Sequence, residues 1–179
     1  ARLNSSEKRR KKKSKPKSKR METLRLPYQG KYYPLELVAD EQSIGVEIRF
    51  QCFHFSAHIH PRQPNKQKAI EVGLENFYRQ KAIEKIIPRI YHWTAIMQLY
   101  PHEIEIKKQH KRWGSCTTKN KLIFNYDMIK LPLDCIDYIL VHEIAHLREK
   151  SHLNKFWEIV ALYLPNYKEL KTKITEFEF

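Results

Sequence analysis

One stretch of the chain combines the apolar pattern of a buried helix with three polar side chains that such a helix would bury. Between Pro132 and Glu149, apolar residues recur at helical spacing, at Leu133, Ile136, Ile139, Leu140, Ile144 and Leu147. This pattern predicts an amphipathic helix over residues 132–149. The sequence His142-Glu143-Ile144-Ala145-His146 lies inside the predicted helix. Because an unsatisfied buried polar group costs a few kcal/mol, the fold has to supply partners for its two histidines and its glutamate.

The spacing of these three residues fits a metal site. Residues four apart lie on one face of a helix, so the imidazoles of His142 and His146 can point at one ion. Glu143 is one position further around, where it can reach a water on the metal without binding the metal itself. This HExxH pattern is typical of zinc-dependent hydrolases. A pair of surface histidines would have a more polar neighbourhood than this one.

A catalytic zinc needs a third protein ligand and an open fourth position. His152 is the favoured third ligand, because residues 148–151 can form a short polar turn that brings it back toward the helix. The competing candidates are Glu149, Glu158 and His110. A fourth position filled by Glu149 or Glu158 would instead indicate a non-catalytic, zinc-stabilised binding module.

The positive charge of the chain is concentrated in its first twenty residues. The whole chain carries a net charge of +14, and residues 1–20 contribute eleven basic residues against one acidic residue. This segment contains no aromatic residue, so we expect residues 1–22 to form a disordered tail. Three interpretations of the tail stay open: a segment introduced by cloning, a solvated linker, or an arm that binds nucleic acid through residues 2–20.

Cysteine usage and hydropathy limit the class of protein further. The three cysteines, Cys52, Cys116 and Cys135, are an odd number without a CxxC spacing. This argues against a disulfide framework and favours a reducing, cytoplasmic location. No apolar run approaches the roughly 18 to 20 residues that a membrane helix needs, so we expect no membrane association.

The remaining patterns predict an α+β fold. Strands are expected over residues 24–28, 31–39, 45–59, 102–109 and 122–126. Helices are expected over residues 66–87, where Pro88 would stop the first one, and over 90–97 and 153–164 in addition to the HExxH helix. We therefore expect three parts: the tail (1–22), a β-rich N-terminal part (23–64), and a core (65–179) in which a small antiparallel sheet packs on the HExxH helix.

Several motifs accompany HExxH in a fixed order. Arg112-Trp113-Gly114-Ser115-Cys116 and Asn125 precede it, Tyr138 stands four residues before His142, and Phe156-Trp157 and Pro165 follow His152. This combination resembles the YgjP-like metallopeptidase family over about residues 66–170. The chain departs from the usual family pattern at Ser151 and Leu153, which flank His152 where the family commonly has Asn and Ser. Neither position is a ligand.

The resemblance implies a minimal, zincin-like metalloprotease domain. It implies one Zn²⁺ per chain on His142, His146 and His152, with Glu143 as the catalytic residue and a peptide or protein as the substrate. The family is related to SprT-like and WLM proteases. By analogy with them, a second hypothesis is a protease that the basic tail recruits to nucleic acid.

The segment from Arg112 to Cys116 has two interpretations. It would form a strand and turn beside the metal helix, where its backbone could bind an extended peptide. This makes Arg112, Trp113, Gly114 and Ser115 candidate substrate-binding residues, together with Tyr138, which lies one turn before His142. The alternative is plain packing, with Trp113 and Cys116 in the core and Tyr138 as a buried tyrosine with a satisfied hydroxyl. Phe156 and Trp157 are expected to be core residues that hold His152 in place.

Overall fold

The computed structural model describes residues 24–177. Within that range the strands are β1 (Arg25–Tyr28), β2 (Lys31–Ala39), β3 (Val46–Gln51), β4 (His54–Ile59), β5 (Glu103–Lys107), β6 (Gly114–Cys116) and β7 (Lys121–Asn125). The helices are α1 (Lys66–Met97), a 3-10 helix (Tyr126–Lys130), α2 (Leu133–Ala145), α3 (Asn154–Tyr163) and α4 (Tyr167–Ile174). The expected disordered tail and its basic residues 2–20 lie outside the described residues. The α+β class is confirmed.

The N-terminal strands form one sheet in the order β1-β2-β4-β3. The expected single strand over residues 45–59 is a hairpin, because Cys52 and Phe53 both have positive φ angles, of 48° and 62°, and form a two-residue turn between β3 and β4. Such primed turns match the twist of paired antiparallel strands. The β2–β4 pairing is parallel, so the sheet is mixed and not purely antiparallel.

A second, three-stranded sheet lies next to the HExxH helix. Its order is β5-β7-β6, with β5 and β7 parallel and β6 and β7 antiparallel. The expectation of an antiparallel sheet is therefore right for β6 and β7 and wrong for β5. Strand β6 is an edge strand of this sheet, and it contacts α2.

The prediction that Pro88 ends the first helix is wrong. Helix α1 continues through Pro88 to Met97. Pro88 removes one backbone hydrogen bond, but it is exposed, while Ile86 and Ile90 on either side are fully buried and continue the packing. Neither α1 nor any other helix in the range 24–177 is long and apolar enough to span a membrane.

Helix α2 is the centre of the core, in contact with α1, α3, α4 and β6. Because α2 is packed against other elements on several sides, most of its residues are buried. Leu133 of the predicted apolar stripe is an exception and is exposed. On α1, Arg89 forms a two-point salt bridge with Asp137 of α2, and Trp93 Nε1 donates to the same carboxylate over 2.9 Å. These contacts fix α2 against α1. Helix α4 was not predicted.

The 3-10 helix contains a buried acidic group whose charge is compensated. Asp127 forms ion pairs with Lys108 and with Lys130, the latter over 2.6 Å. Burial alone would raise the pKa of Asp127, but the two lysines lower the pKa below its ordinary value. Because the pKa is lower in the folded state, the stabilisation is complete above about pH 4 and is lost as the pH falls toward the folded-state pKa.

We therefore expect Asp127→Asn to reduce the free energy of unfolding by about 1–3 kcal/mol at pH 7. The difference from the wild type should shrink toward about pH 3, where the wild-type carboxylate is also becoming protonated. Urea denaturation of both proteins at the two pH values measures it. The control is Glu36→Gln on β2, an exposed site. An equal loss of unfolding free energy at both pH values would show that the charge of Asp127 is not the source of the stabilisation.

Candidate metal centre

The end of α2 brings the polar side chains of the HExxH motif to one place. His142 and Glu143 lie in the last turn of α2, which ends at Ala145, and His146 is the capping residue that follows. The prediction that the motif lies inside the helix is therefore wrong for its last residue. The chain turns directly after His146, as Leu147 and Arg148 donate backbone hydrogen bonds to the last turn. This early end allows the chain to reverse.

The reversal brings His152 to the two histidines of the motif. The Nε2 atom of His152 lies 3.0 Å from Nε2 of His142 and 3.1 Å from Nε2 of His146. Among the residues described, these three form the only group of His, Cys, Asp or Glu side chains placed to share a metal ion. Two ligands of a tetrahedral zinc, each about 2.0–2.1 Å from the ion, are about 3.3 Å apart. The separations of His152 Nε2 from the other two nitrogens therefore fit a shared zinc ion with only a small adjustment.

Hydrogen bonds hold the His146 imidazole and the His152 backbone in place. The Nδ1 atom of His146 lies 3.0 Å from the backbone oxygen of Glu149. Donation from Nδ1 leaves the Nε2 lone pair free for a metal, which is the usual outer-shell arrangement. The backbone oxygen of His152 accepts a hydrogen bond from Trp157 Nε1 over 3.1 Å. Contacts from outside the centre thus orient the His146 ring and position the backbone of His152.

Phe156 forms the apolar floor of the centre. It is fully buried, and its ring centroid lies 4.8, 4.4 and 4.8 Å from those of His142, His146 and His152. Burial, followed by the neighbouring imidazoles, lowers the pKa of His142 to about 3, and burial also lowers the pKa of His146. Both rings are therefore neutral near pH 7, the state that binds a metal.

The competing third ligands point elsewhere. Glu149 Oε1 accepts hydrogen bonds from the backbone N–H and the hydroxyl of Ser151, over 3.1 and 2.7 Å, and so stabilises the turn before His152. Glu158 is exposed on α3, and His110 lines a cavity beside Tyr78 and Tyr126. None of the three belongs to the group of converging ligand atoms.

Glu143 is enclosed between α2 and β6. Its carboxylate accepts a hydrogen bond from the backbone N–H of Cys116. A Cβ atom at Gly114 would lie 2.7 Å from Cγ of Glu143, so this position has no room for a larger residue. Burial raises the pKa of Glu143 to about 7, against the opposing effects of Arg112 and the Cys116 N–H. The carboxyl group can therefore exchange a proton near neutral pH.

Asn125 fixes the strand that encloses Glu143. Its side-chain amide is fully buried and donates to the backbone oxygens of Gln109 and Arg112, over 2.7 and 3.4 Å. Its backbone N–H donates to the oxygen of Trp113 over 2.8 Å. These bonds hold the segment that leads into β6. Asn125 was identified from the sequence only as part of a motif, without this role.

The candidate substrate-binding residues lie around the same place. Gly114 and Ser115 belong to β6 beside α2, and Arg112 is exposed just before it. Trp113 is half-buried and packs on the core. Tyr138 is buried, with its ring centroid 5.8 Å from that of His142. The structure places Tyr138 beside His142 and Gly114 beside Glu143, and the role of all five residues in substrate binding stays a prediction.

Lys150 links the turn after His146 to the β6–β7 connection. Its Nζ atom lies 3.3 Å from Cys116 Sγ, and it donates to the Thr117 oxygen over 3.1 Å and to Asn120 Oδ1 over 2.6 Å. Sequence reasoning missed this residue. No periodicity or motif indicates which of the many lysines makes such contacts.

The fold and the three converging imidazoles indicate a metal-dependent enzyme, and a comparison with family models agrees. The model described as YgjP-like, metallopeptidase domain, matches residues 2–177. The chain therefore belongs to the YgjP-like metallopeptidase family. It is a metallohydrolase, and family membership implies a metal cofactor, typically zinc, which the three histidines fit.

Two solved structures are similar to part of the chain. They are the metallopeptidase zymogens abylysin of Pyrococcus abyssi and jannalysin of Methanocaldococcus jannaschii. Each is 22% identical, with a TM-score of 0.47 over 51% of this chain and 92% or 95% of the other. No curated protein matches the chain.

The hydrogen bond from Trp157 provides a test of the centre. Trp157→Phe keeps an aromatic ring but removes the donor to the His152 backbone. We expect zinc affinity to fall about fivefold, the equivalent of one net hydrogen bond of about 1 kcal/mol. Competition with a chromophoric chelator measures the affinity. Glu158→Gln, one residue further along α3, is the control and should bind zinc like the wild type. A loss in Glu158→Gln would mean that this glutamate is a ligand after all.

Proposed function

We propose that the chain is a zinc-dependent peptidase in which His142, His146 and His152 hold one zinc ion and Glu143 is the general base. The observation that carries the proposal is the convergence of three imidazoles, with His152 Nε2 3.0–3.1 Å from the Nε2 atoms of His142 and His146, beside a buried carboxylate. A purely structural zinc site has no use for such an acid, because its ligands already complete the coordination. A peptide or protein substrate follows from membership of the family.

A bound zinc ion supplies Lewis-acid chemistry, which lowers the pKa of a coordinated water and polarises the scissile carbonyl group. Glu143 accepts a proton from the attacking water and later gives it to the leaving nitrogen. Its pKa of about 7 makes both protonation states accessible at neutral pH. The Cys116 N–H and the close approach of Gly114 limit the positions open to its carboxylate.

Strand β6 offers a place for the substrate backbone. It pairs with β7 on one side only, and it runs beside the helix that carries the motif. An extended peptide can add to such an edge through backbone hydrogen bonds. We propose that Gly114 binds the peptide backbone in this way, because its N–H and carbonyl group face the free edge, and that Arg112, Trp113, Ser115 and Tyr138 contact the peptide with their side chains.

Metal content and peptidase activity, measured on the same preparations, test the proposal. We expect about one zinc per chain in the wild type and in Glu143→Gln, and clearly less in His152→Ala. Glu143→Gln should hydrolyse a mixture of quenched fluorogenic peptides about 10²- to 10⁴-fold more slowly than the wild type, because it loses the base but keeps the metal.

Three outcomes would contradict this account. A wild-type protein without stoichiometric metal, purified without chelators, would exclude the metal centre. Wild-type rates in Glu143→Gln would exclude the general base. A zinc-loaded wild type that cleaves no peptide would favour the non-catalytic binding module.

Gly114→Ala tests how closely β6 confines Glu143. The added methyl group would displace the Glu143 side chain, whose Cγ lies 2.7 Å from the ideal Cβ position. We expect kcat to fall about 10²-fold, as for a misplacement of a catalytic group by about 1 Å, with zinc content unchanged. Gly73→Ala is the matched control, since its Cβ meets only Val46 and Ile48. It should alter stability and leave kcat unchanged. Equal kcat in both variants would show that Gly114 does not position the base.

Two further expectations from the sequence stay predictions. One is nucleic-acid binding through residues 2–20. The other is a cytoplasmic location.

A further inference from the structure

Three basic side chains from different parts of the chain surround the metal centre. Lys171 lies on α4, Arg112 precedes β6, and Lys150 follows His146 in the turn after α2. All three are exposed. The three cations do not belong to one basic helix or loop. Each comes from a different segment, and the packing of the chain brings them together.

Lys171 occupies the side of the centre formed by Trp157. Its Nζ atom lies 4.8 Å from the centroid of the Trp157 ring. That ring is 5.8 Å from the ring of His142 and 5.9 Å from that of His152. A lysine over a tryptophan face is held by cation–π attraction, so its charge stays near the centre.

Arg112 and Lys150 lie at the two ends of strand β6, which encloses Glu143. Arg112 stands two residues before Gly114, whose ideal Cβ position is 2.7 Å from Cγ of Glu143. The Nζ atom of Lys150 lies 3.3 Å from Sγ of Cys116, the last residue of β6. The two cations are thus placed along the strand that borders the motif.

No carboxylate in the range 24–177 forms an ion pair with any of these three cations. Other lysines in that range do form such pairs, for example Lys121 with Glu103 and Lys173 with Asp134. Glu149 lies close enough to His146 to affect it, but its carboxylate is engaged by Ser151. Within residues 24–177, the three cations near the centre are therefore not held in ion pairs, in contrast to Lys121 and Lys173.

We propose that the centre selects peptides that place a carboxylate near the scissile bond, with Lys171 as its principal contact and Arg112 and Lys150 adding to the field. The inference rests on the proposed peptidase function and names its substrate class. The carboxylate is that of an Asp or Glu side chain or that of the peptide C-terminus, since both present the same acceptor to an ammonium or guanidinium group. Complementary charge of this kind also accelerates encounter at low salt.

Matched peptides separate the two sources of the carboxylate. Glu or Gln is placed either before or after the cleaved bond, and each of these four peptides is made with a free and with an amidated C-terminus. We expect a peptide with a carboxylate to have a kcat/KM about three- to tenfold above its neutral counterpart at low salt, mainly through KM. The advantage should shrink as salt is raised. Dependence on Glu indicates a side-chain source, and dependence on the free terminus indicates an exopeptidase.

Charge-removing variants assign the effect to this surface. Lys171→Gln should reduce the preference for the carboxylate by about threefold or more. The matched control is Lys85→Gln, which removes an exposed lysine on α1 that affects Glu84 and none of the centre residues. It should keep the full preference. Equal kcat/KM for charged and neutral peptides would overturn the proposal, and so would a preference that Lys171→Gln leaves intact.

Binding without turnover distinguishes a failure of this proposal from a failure of the proposed function. Titration of zinc-loaded Glu143→Gln with the Glu and Gln peptides can be followed by tryptophan fluorescence, because Trp157 lies beneath Lys171. Salt-sensitive preference for the Glu peptide, without hydrolysis by the wild type, would support the carboxylate site and contradict the peptidase. If neither the exchange of Glu for Gln nor amidation of the C-terminus changes binding or hydrolysis, the carboxylate site is overturned even if all the peptides are cleaved.

Discussion

The structure of the centre depends on where α2 ends. The helix stops at Ala145, so that His146 becomes its cap and the chain reverses within the next few residues. A longer helix would carry the chain away from His142 and leave His152 too far to reach it, whereas the observed turn places its Nε2 atom 3.0–3.1 Å from the other two. The surrounding residues maintain this geometry. Glu149 accepts from Ser151 within the turn, and Trp157 donates to the backbone of His152.

The rest of the fold holds this helix end against the strand that encloses Glu143. Asp137, one turn before the motif, is held by Arg89 and Trp93 of α1. On the other side, Asn125 fixes the chain that enters β6, and the absence of a side chain at Gly114 lets that strand approach Glu143. Burial of the carboxyl group between these two elements raises its pKa to about 7. The packing of β6 against the end of α2 thus raises the pKa of the acid beside the histidines.

Local patterns predicted the parts of the fold that depend on neighbours in sequence. The HExxH spacing places His142 and His146 together because both belong to one helix end, and the polar turn after them is short enough for His152 to be the favoured third ligand. The prediction that Pro88 ends the helix was wrong because it considered only the backbone hydrogen bond that a proline removes. The buried packing of Ile86 and Ile90 outweighs that loss. The parallel pairing of β5 with β7 and the contacts of Lys150 and Lys171 depend on tertiary placement, which no local pattern encodes.

X-ray absorption at the zinc edge of the zinc-loaded wild type tests the three-histidine centre most directly. The account predicts imidazole scattering from three histidines and one further oxygen ligand, all at about 2.0–2.1 Å, and no sulfur. A sulfur ligand at about 2.3 Å would implicate a cysteine such as Cys116, and a fourth ligand from a protein side chain would close the position that catalysis requires. Either result would contradict an open, three-histidine catalytic site.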